Sequence, residues 1–116
     1  MKPNRPLPVV FYRSGKNNEP VRDWLKGLPR NERRIIGENI KKVQFGWPIG
    51  MPLVRKIEPD LWEVRSRLYG RIARIILTVH DDTIILLHGF IKKSQKIPAS
   101  DKRLAKKRLL KLRGAS

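Results

Sequence analysis

The spacing of hydrophobic residues changes along this chain and divides it into predicted elements. Val9-Val10-Phe11-Tyr12 is a β-branched and aromatic run that predicts a first strand. Val21, Trp24, Leu25 and Leu28 then fall at i, i+3, i+4 and i+7, the period of an amphipathic helix. Asn18 is placed to cap that helix and Pro20 to lie in its first turn. Pro29 starts a second helix with an apolar stripe of Ile36, Ile40 and Val43. Arg33, Arg34, Lys41 and Lys42 lie largely outside that stripe, and Gly46 and Pro48 end the helix. The connection is so short that the two read as a helical hairpin.

Past Met51 the period becomes two. Leu53 to Ile57 reads as a strand and Glu58-Pro59-Asp60 as a turn. In Leu61 to Leu68, Trp62, Val64 and Leu68 take one face, while Glu63, Arg65 and Arg67 take the other. Tyr69-Gly70 turns the chain into a strand from Arg71 to Val79, and Asp81-Asp82 forms a hairpin tip. Ile84 to Phe90 is nearly continuously apolar, as a strand buried on both sides would be, with His88 alternating with Leu86 and Phe90 on one face. A final helix capped by Ser100 runs to about Leu112, with Leu104, Ala105, Leu109 and Leu112 to dock it. The order strand, helix, helix, three or four strands, helix predicts one α+β domain over residues 1–116, its helices packed on an antiparallel sheet. Residues 1–8 form an extended leader and 113–116 a tail.

Composition adds a partner to this outline. Hydrophobic residues make up 40% of the chain, enough for a globular core and too many for a disordered polymer. Lys and Arg number 27 against 10 Asp and Glu, a net charge of +17, and a polyanion is the natural partner of such a surface. The cations are spread along the sequence and not gathered on one face of an amphipathic helix, which argues against a membrane surface. The absence of cysteine excludes disulfides, thiolate catalysis and Cys-ligated zinc. With only His80 and His88, a classical metal site is not expected, and no cofactor is implied. The first eight residues lack an apolar signal region, and Ile84 to Leu87 is far too short to span a bilayer, so the expected location is the cytoplasm.

Three segments resemble the HigB-like, phage-associated branch of the RelE/ParE toxins. Leu61-Trp62-Glu63-Val64-Arg65 is similar to that branch's L-W-E-L-R strand, and Arg74-Ile75-Ile76-Leu77 to its Y-R-I-L-Y strand. The most specific is Leu86 to Pro98, LLHGFIKKSQKIP, which resembles L-L-H-G-F-x-K-K-T-Q-K-x-P. The chain departs from the pattern at Ala73, where many relatives carry Tyr. The resemblance implies a RelE-like fold, with an N-terminal helical hairpin and a C-terminal helix on the sheet. It implies a type II toxin that cleaves mRNA on the ribosome without a metal. It also implies a cognate helix-turn-helix antitoxin that represses the operon, so operator DNA is contacted only through the antitoxin.

Cleavage at a phosphodiester without a metal needs a base for the 2′-hydroxyl, cations for the charge growing on phosphorus, and an acid for the departing 5′-oxygen. Arginine suits the equatorial oxygens because its planar fork bonds two at once. Arg65, Arg74 and Lys93 are the candidates for catalysis, and Lys56, Arg67, Arg71, Lys92 and Lys96 for RNA binding. Arg74 stands among Ile72, Ile76 and Thr78, so it either leaves the core at a cleft or edge, or pairs with Glu63 across the sheet. His88 is either an acid or base or a satisfied structural histidine. Two further functions stay open: a ParE-like inhibitor of DNA gyrase, which would need no convergent phosphate-binding cations, and a non-catalytic RNA- or ribosome-binding protein.

Overall fold

A computed structural model describes residues 5–92 and 96–114, Lys92 by its backbone alone. The first four residues of the leader, the last two of the tail, and the proposed catalytic Lys93 lie outside the described residues. The elements are β1 (Val9–Phe11), α1 (Pro20–Lys26), α2 (Arg30–Gly46), β2 (Val54–Glu58), β3 (Leu61–Arg67), β4 (Ile72–His80), β5 (Thr83–Lys92) and α3 (Ala99–Gly114). The helix caps differ from expectation. Glu19, not Asn18, precedes α1, and neither it nor Pro29 before α2 makes a side-chain cap bond. Ser100 lies inside the first turn of α3.

The five strands form one sheet in the order β1-β5-β4-β3-β2. β2 to β5 make the antiparallel meander that the period-two pattern predicts. β1, however, joins the far edge parallel to β5, so the sheet is mixed and not purely antiparallel. The cause is the excursion through α1 and α2, which carries the chain from one edge of the sheet to the other. Asp81 and Asp82 turn the β4–β5 hairpin with φ of 50° and 58°, values that short polar side chains tolerate.

Both faces of the sheet are covered. On one, α1 packs against β5 and β1, and α2 against β3, around Val21, Ile36, Val43, Val64, Ile75, Leu77 and Leu86. Trp24, Trp47 and Trp62 pack on this core, Trp47 and Trp62 edge to face at 5.0 Å. On the other, α3 seals Tyr12, Leu61, Ile76, Ile85, Leu87 and Phe90 beneath Ala105 and Leu109. This two-sided burial explains the continuous apolar run of β5.

Parity fails at two places, at Ile57 between Lys56 and Glu58 in β2 and in β5. Ile76 pairs with His88, but Leu77 pairs with Leu86, so Leu87 is an extra residue in β5. Leu86 stays on the α1/α2 face, while Leu87, His88 and Phe90 all serve the α3 face. The expectation that Leu86, His88 and Phe90 share one face is therefore corrected by a bulge that plain alternation does not encode.

Candidate nucleic-acid interface

A groove of about 440 Å³ opens at the β2 edge of the sheet. β2 begins at Val54, opposite Val64, and the Arg65 N–H still reaches the Leu53 carbonyl at 3.0 Å. Beyond that bond the preceding loop turns away, leaving the end of β3 uncovered on that side. Leu68 N–H bonds back to Arg71 across the hairpin, so strand alternation turns the Arg67 N–H toward the open edge. Asn39 and Lys42 from α2, Ile49, Pro52 and Leu53 from the loop, Arg65 and Arg67 from β3, and Ile72 from β4 line the groove. Asn39 is fixed by donating to Ser66 Oγ at 2.8 Å.

Lys42 and Arg67 are exposed and Arg65 is half-buried. Among the described residues no carboxylate pairs with any of the three. Three cations on an apolar floor, flanked by an open strand edge, make a surface that favours an extended anion such as a phosphodiester chain. Lys56 is exposed on the edge strand β2, and Lys96 is exposed ahead of α3.

The structure separates the other candidates from this groove. Arg74 does not emerge at a cleft: its side chain has 0% exposure and donates from Nη1 to Glu63 Oε2 at 3.3 Å, with Glu63 equally buried. Arg55 approaches the other carboxylate oxygen at 3.3 Å. Glu63 therefore sits between two arginines on one face of the sheet, next to Arg65, which pairs across the strands with Arg74. The physical reason is register: the diagonal from β3 to β4 brings a carboxylate and a guanidinium together beside Arg65. Arg71 is likewise committed. Its guanidinium grips the Glu32 carboxylate with two bonds, Nε to Oε2 at 3.1 Å and Nη2 to Oε1. These bonds raise its pKa above the ordinary arginine value. Arg71 thereby ties the start of α2 to the β3–β4 hairpin instead of standing free.

His88 is held between α3 and the sheet. Its Nε2 lies 2.6 Å from Asp101 Oδ1, its ring stacks on Phe90, and Arg108 Nη1 is 3.5 Å from Nδ1. Arg108 donates to the Leu87 carbonyl at 2.7 Å and lies over the Tyr12 ring. Burial lowers the pKa of Arg108 from the ordinary value, and the nearby Tyr12 opposes that shift. These contacts match the structural alternative for His88: it pins the first turn of α3 to the bulge in β5. Asp101→Asn is expected to lower stability by about 1–2 kcal/mol, a charge-assisted bond becoming a neutral one. A thermal melt equal to the parent chain's would remove the pin. His80 is exposed beside Asp81, the surface position its sequence suggests.

Sequence reasoning missed Asn39, Lys42 and Tyr69. The first two lie beside the apolar stripe of α2, and their neighbourhood becomes a groove only together with the loop that precedes β2. No helix among the described residues is long and apolar enough to cross a membrane. The sequence profile of the phage-derived Gp49-like family (DUF891) matches residues 23–110, from α1 to the body of α3. No curated protein matches the chain.

Proposed function

The chain belongs to the phage-derived Gp49-like family, which is associated with type II toxin–antitoxin systems, and from that premise we propose that it is a toxin that cleaves mRNA on the ribosome. The observation that carries the proposal is the groove lined by Lys42, Arg65 and Arg67, cations without carboxylate partners among the described residues. Arg65 and Lys93 are proposed to hold the scissile phosphate while the neighbouring 2′-hydroxyl gives its proton to a base and attacks phosphorus, and the P–O5′ bond breaks as the 5′-oxygen takes a proton from an acid. No metal is needed for that step. Arg67, Lys56, Lys92 and Lys96 are proposed to carry flanking phosphates or ribosomal RNA. Arg74 is assigned a different part: with Glu63 it forms the buried ion pair beside Arg65. A cognate helix-turn-helix antitoxin, acidic where it meets the cationic surface, would hold the toxin silent in the cytoplasm.

Mapping mRNA 5′ ends after induction without antitoxin tests this directly. New ends phased with codons are expected. Growth arrest with no new ends and inhibited DNA supercoiling would replace it with gyrase poisoning. Arg65→Ala is expected to cut cleavage by about a hundredfold to a thousandfold, the scale for losing one preorganised donor to a charged transition state. Arg65→Lys restores only part, because a point charge lacks the two-pronged fork. Unaltered cleavage by Arg65→Ala would remove Arg65 from the site. Affinity for single-stranded RNA should also fall with salt, with a slope in log–log form of about −0.7 per phosphate contact.

A further inference from the structure

The least expected feature of the surface is Tyr69, which is 87% exposed at the tip of the β3–β4 hairpin. A hairpin tip needs polar or turn-forming residues, and Gly70 already supplies the positive φ of 73° that the turn requires. The turn is closed by Leu68 N–H to the Arg71 carbonyl, and Arg71 is anchored by Glu32, so the hairpin is braced on α2. Nothing in that arrangement calls for an aromatic ring. Tyr69 lies two residues past Arg67, whose pairing with Ile72 is the last of the β3–β4 ladder, and both members of that pair line the cationic groove. Two residues of chain span at most about 7 Å, so the Tyr69 backbone lies within that distance of Arg67. A nucleotide whose phosphate rests on Arg67 has its base within reach of such a platform.

We propose that Tyr69 is a stacking platform for one base of the single-stranded RNA whose phosphates lie along Lys42, Arg65 and Arg67. This rests on the RNA-cleaving function proposed above and adds a base-contacting position outside the cleavage chemistry. The ring is exposed, and the hairpin that carries it is braced on α2, so the backbone that presents the platform is in place before RNA arrives. Stacking on an aromatic ring tolerates any base, since every base has a π-face. Tyr69 would therefore set affinity and the register of the strand, not its sequence.

The two tyrosines of the chain provide their own control, because Tyr12 is buried at 6% exposure. With 3-fluorotyrosine in both positions, fluorine NMR is recorded while a short single-stranded oligoribonucleotide is added. A second titration uses an oligomer of the same length and charge with abasic riboses. The Tyr69 signal is expected to shift with the first oligomer alone, the Tyr12 signal with neither. Tyr69→Ala should weaken the base-bearing oligomer by about fivefold to a hundredfold, while leaving the abasic one and the melting temperature unchanged. Tyr69→Phe should bind like the parent chain. Equal loss for both oligomers, or none for either, overturns the stacking platform while RNA binding stands. Failure of the parent chain to bind either oligomer overturns the platform and the strand path along Lys42, Arg65 and Arg67, while cleavage on the ribosome is decided separately by the codon-phased 5′ ends. A Tyr69 shift on adding an acidic protein partner but not RNA would make the ring a protein contact instead.

Discussion

An Arg74→Ala protein is expected to be about 3–5 kcal/mol less stable than the parent chain, the cost of breaking a buried ion pair by removing one member. Both charged groups have 0% exposure, so water cannot replace the lost partner. Glu63 would keep Arg55, whose guanidinium is more than a third exposed and brings less to a buried carboxylate. The deletion also removes one of the largest fully buried side chains, opposite Phe90, and leaves a void there. For a chain of this size the melting temperature should fall by roughly 4 °C per kcal/mol. A cycle of Arg74→Ala, Glu63→Ala and the double variant separates the pair from the void. The double variant should be much less destabilised than the sum of the singles, because the second removal no longer strands a charge. Strict additivity would show that the two groups do not act as a pair. The same purified proteins decide between the two roles the sequence leaves open for Arg74. Unchanged melting with lost mRNA cleavage would return it to the phosphate; lowered melting with cleavage retained below the transition makes it part of the scaffold.

The readable part of this fold is the part written in local periodicity. The stripe of α2 and the facing pattern of β3, with Trp62 and Val64 on one side and Glu63, Arg65 and Arg67 on the other, follow from side-chain direction alone. The pairing of β1 does not. Three residues carry too little pattern to choose a neighbour, and the choice depends on how the intervening helices cross the sheet. Strand parity also gave the direction of Arg74 without its depth. The residue lies on the α3 face as its neighbours imply, yet whether a guanidinium there meets solvent or Glu63 depends on register with the next strand. The groove was illegible for the same reason. Arg65 and Arg67 are visible as cations on one strand, but the uncovered edge beside them exists only because β2 starts late and its leading loop folds toward Ile49 and Leu53. Arg71 had the right type and place for a phosphate ligand, and Glu32 claims it from a helix 39 residues earlier in the chain.

Gly89→Ala is the second substitution expected to damage the fold, by about 1–3 kcal/mol or more, through overpacking. Gly89 lies in the middle of β5, where a glycine ordinarily weakens a strand and alanine would be the better residue. Its backbone does not require glycine, because its φ lies outside the left-handed region. The reason is steric. A β-carbon at this position would stand 2.4 Å from Trp24 Cε3 and 2.6 Å from Cζ3, far inside contact distance. The bulge at Leu87 is what turns Gly89 toward α1, so the ring of Trp24 lies directly on the bare strand. Trp24 is a large, rigid ring, so either the ring or α1 would have to move away from β5 to admit a methyl group. Melting of Gly89→Ala should therefore drop, and the loss should depend on the indole. In a Trp24→Leu background, already destabilised by the smaller side chain, adding Gly89→Ala should cost much less or even recover stability by filling the gap. Equal cost of Gly89→Ala in both backgrounds would mean that the glycine serves something other than the ring. The distinction reaches function, since Gly89 stands between His88, which pins α3, and Phe90, which pairs with Arg74: a methyl group that displaces β5 disturbs the strand that holds Arg74 opposite Arg65.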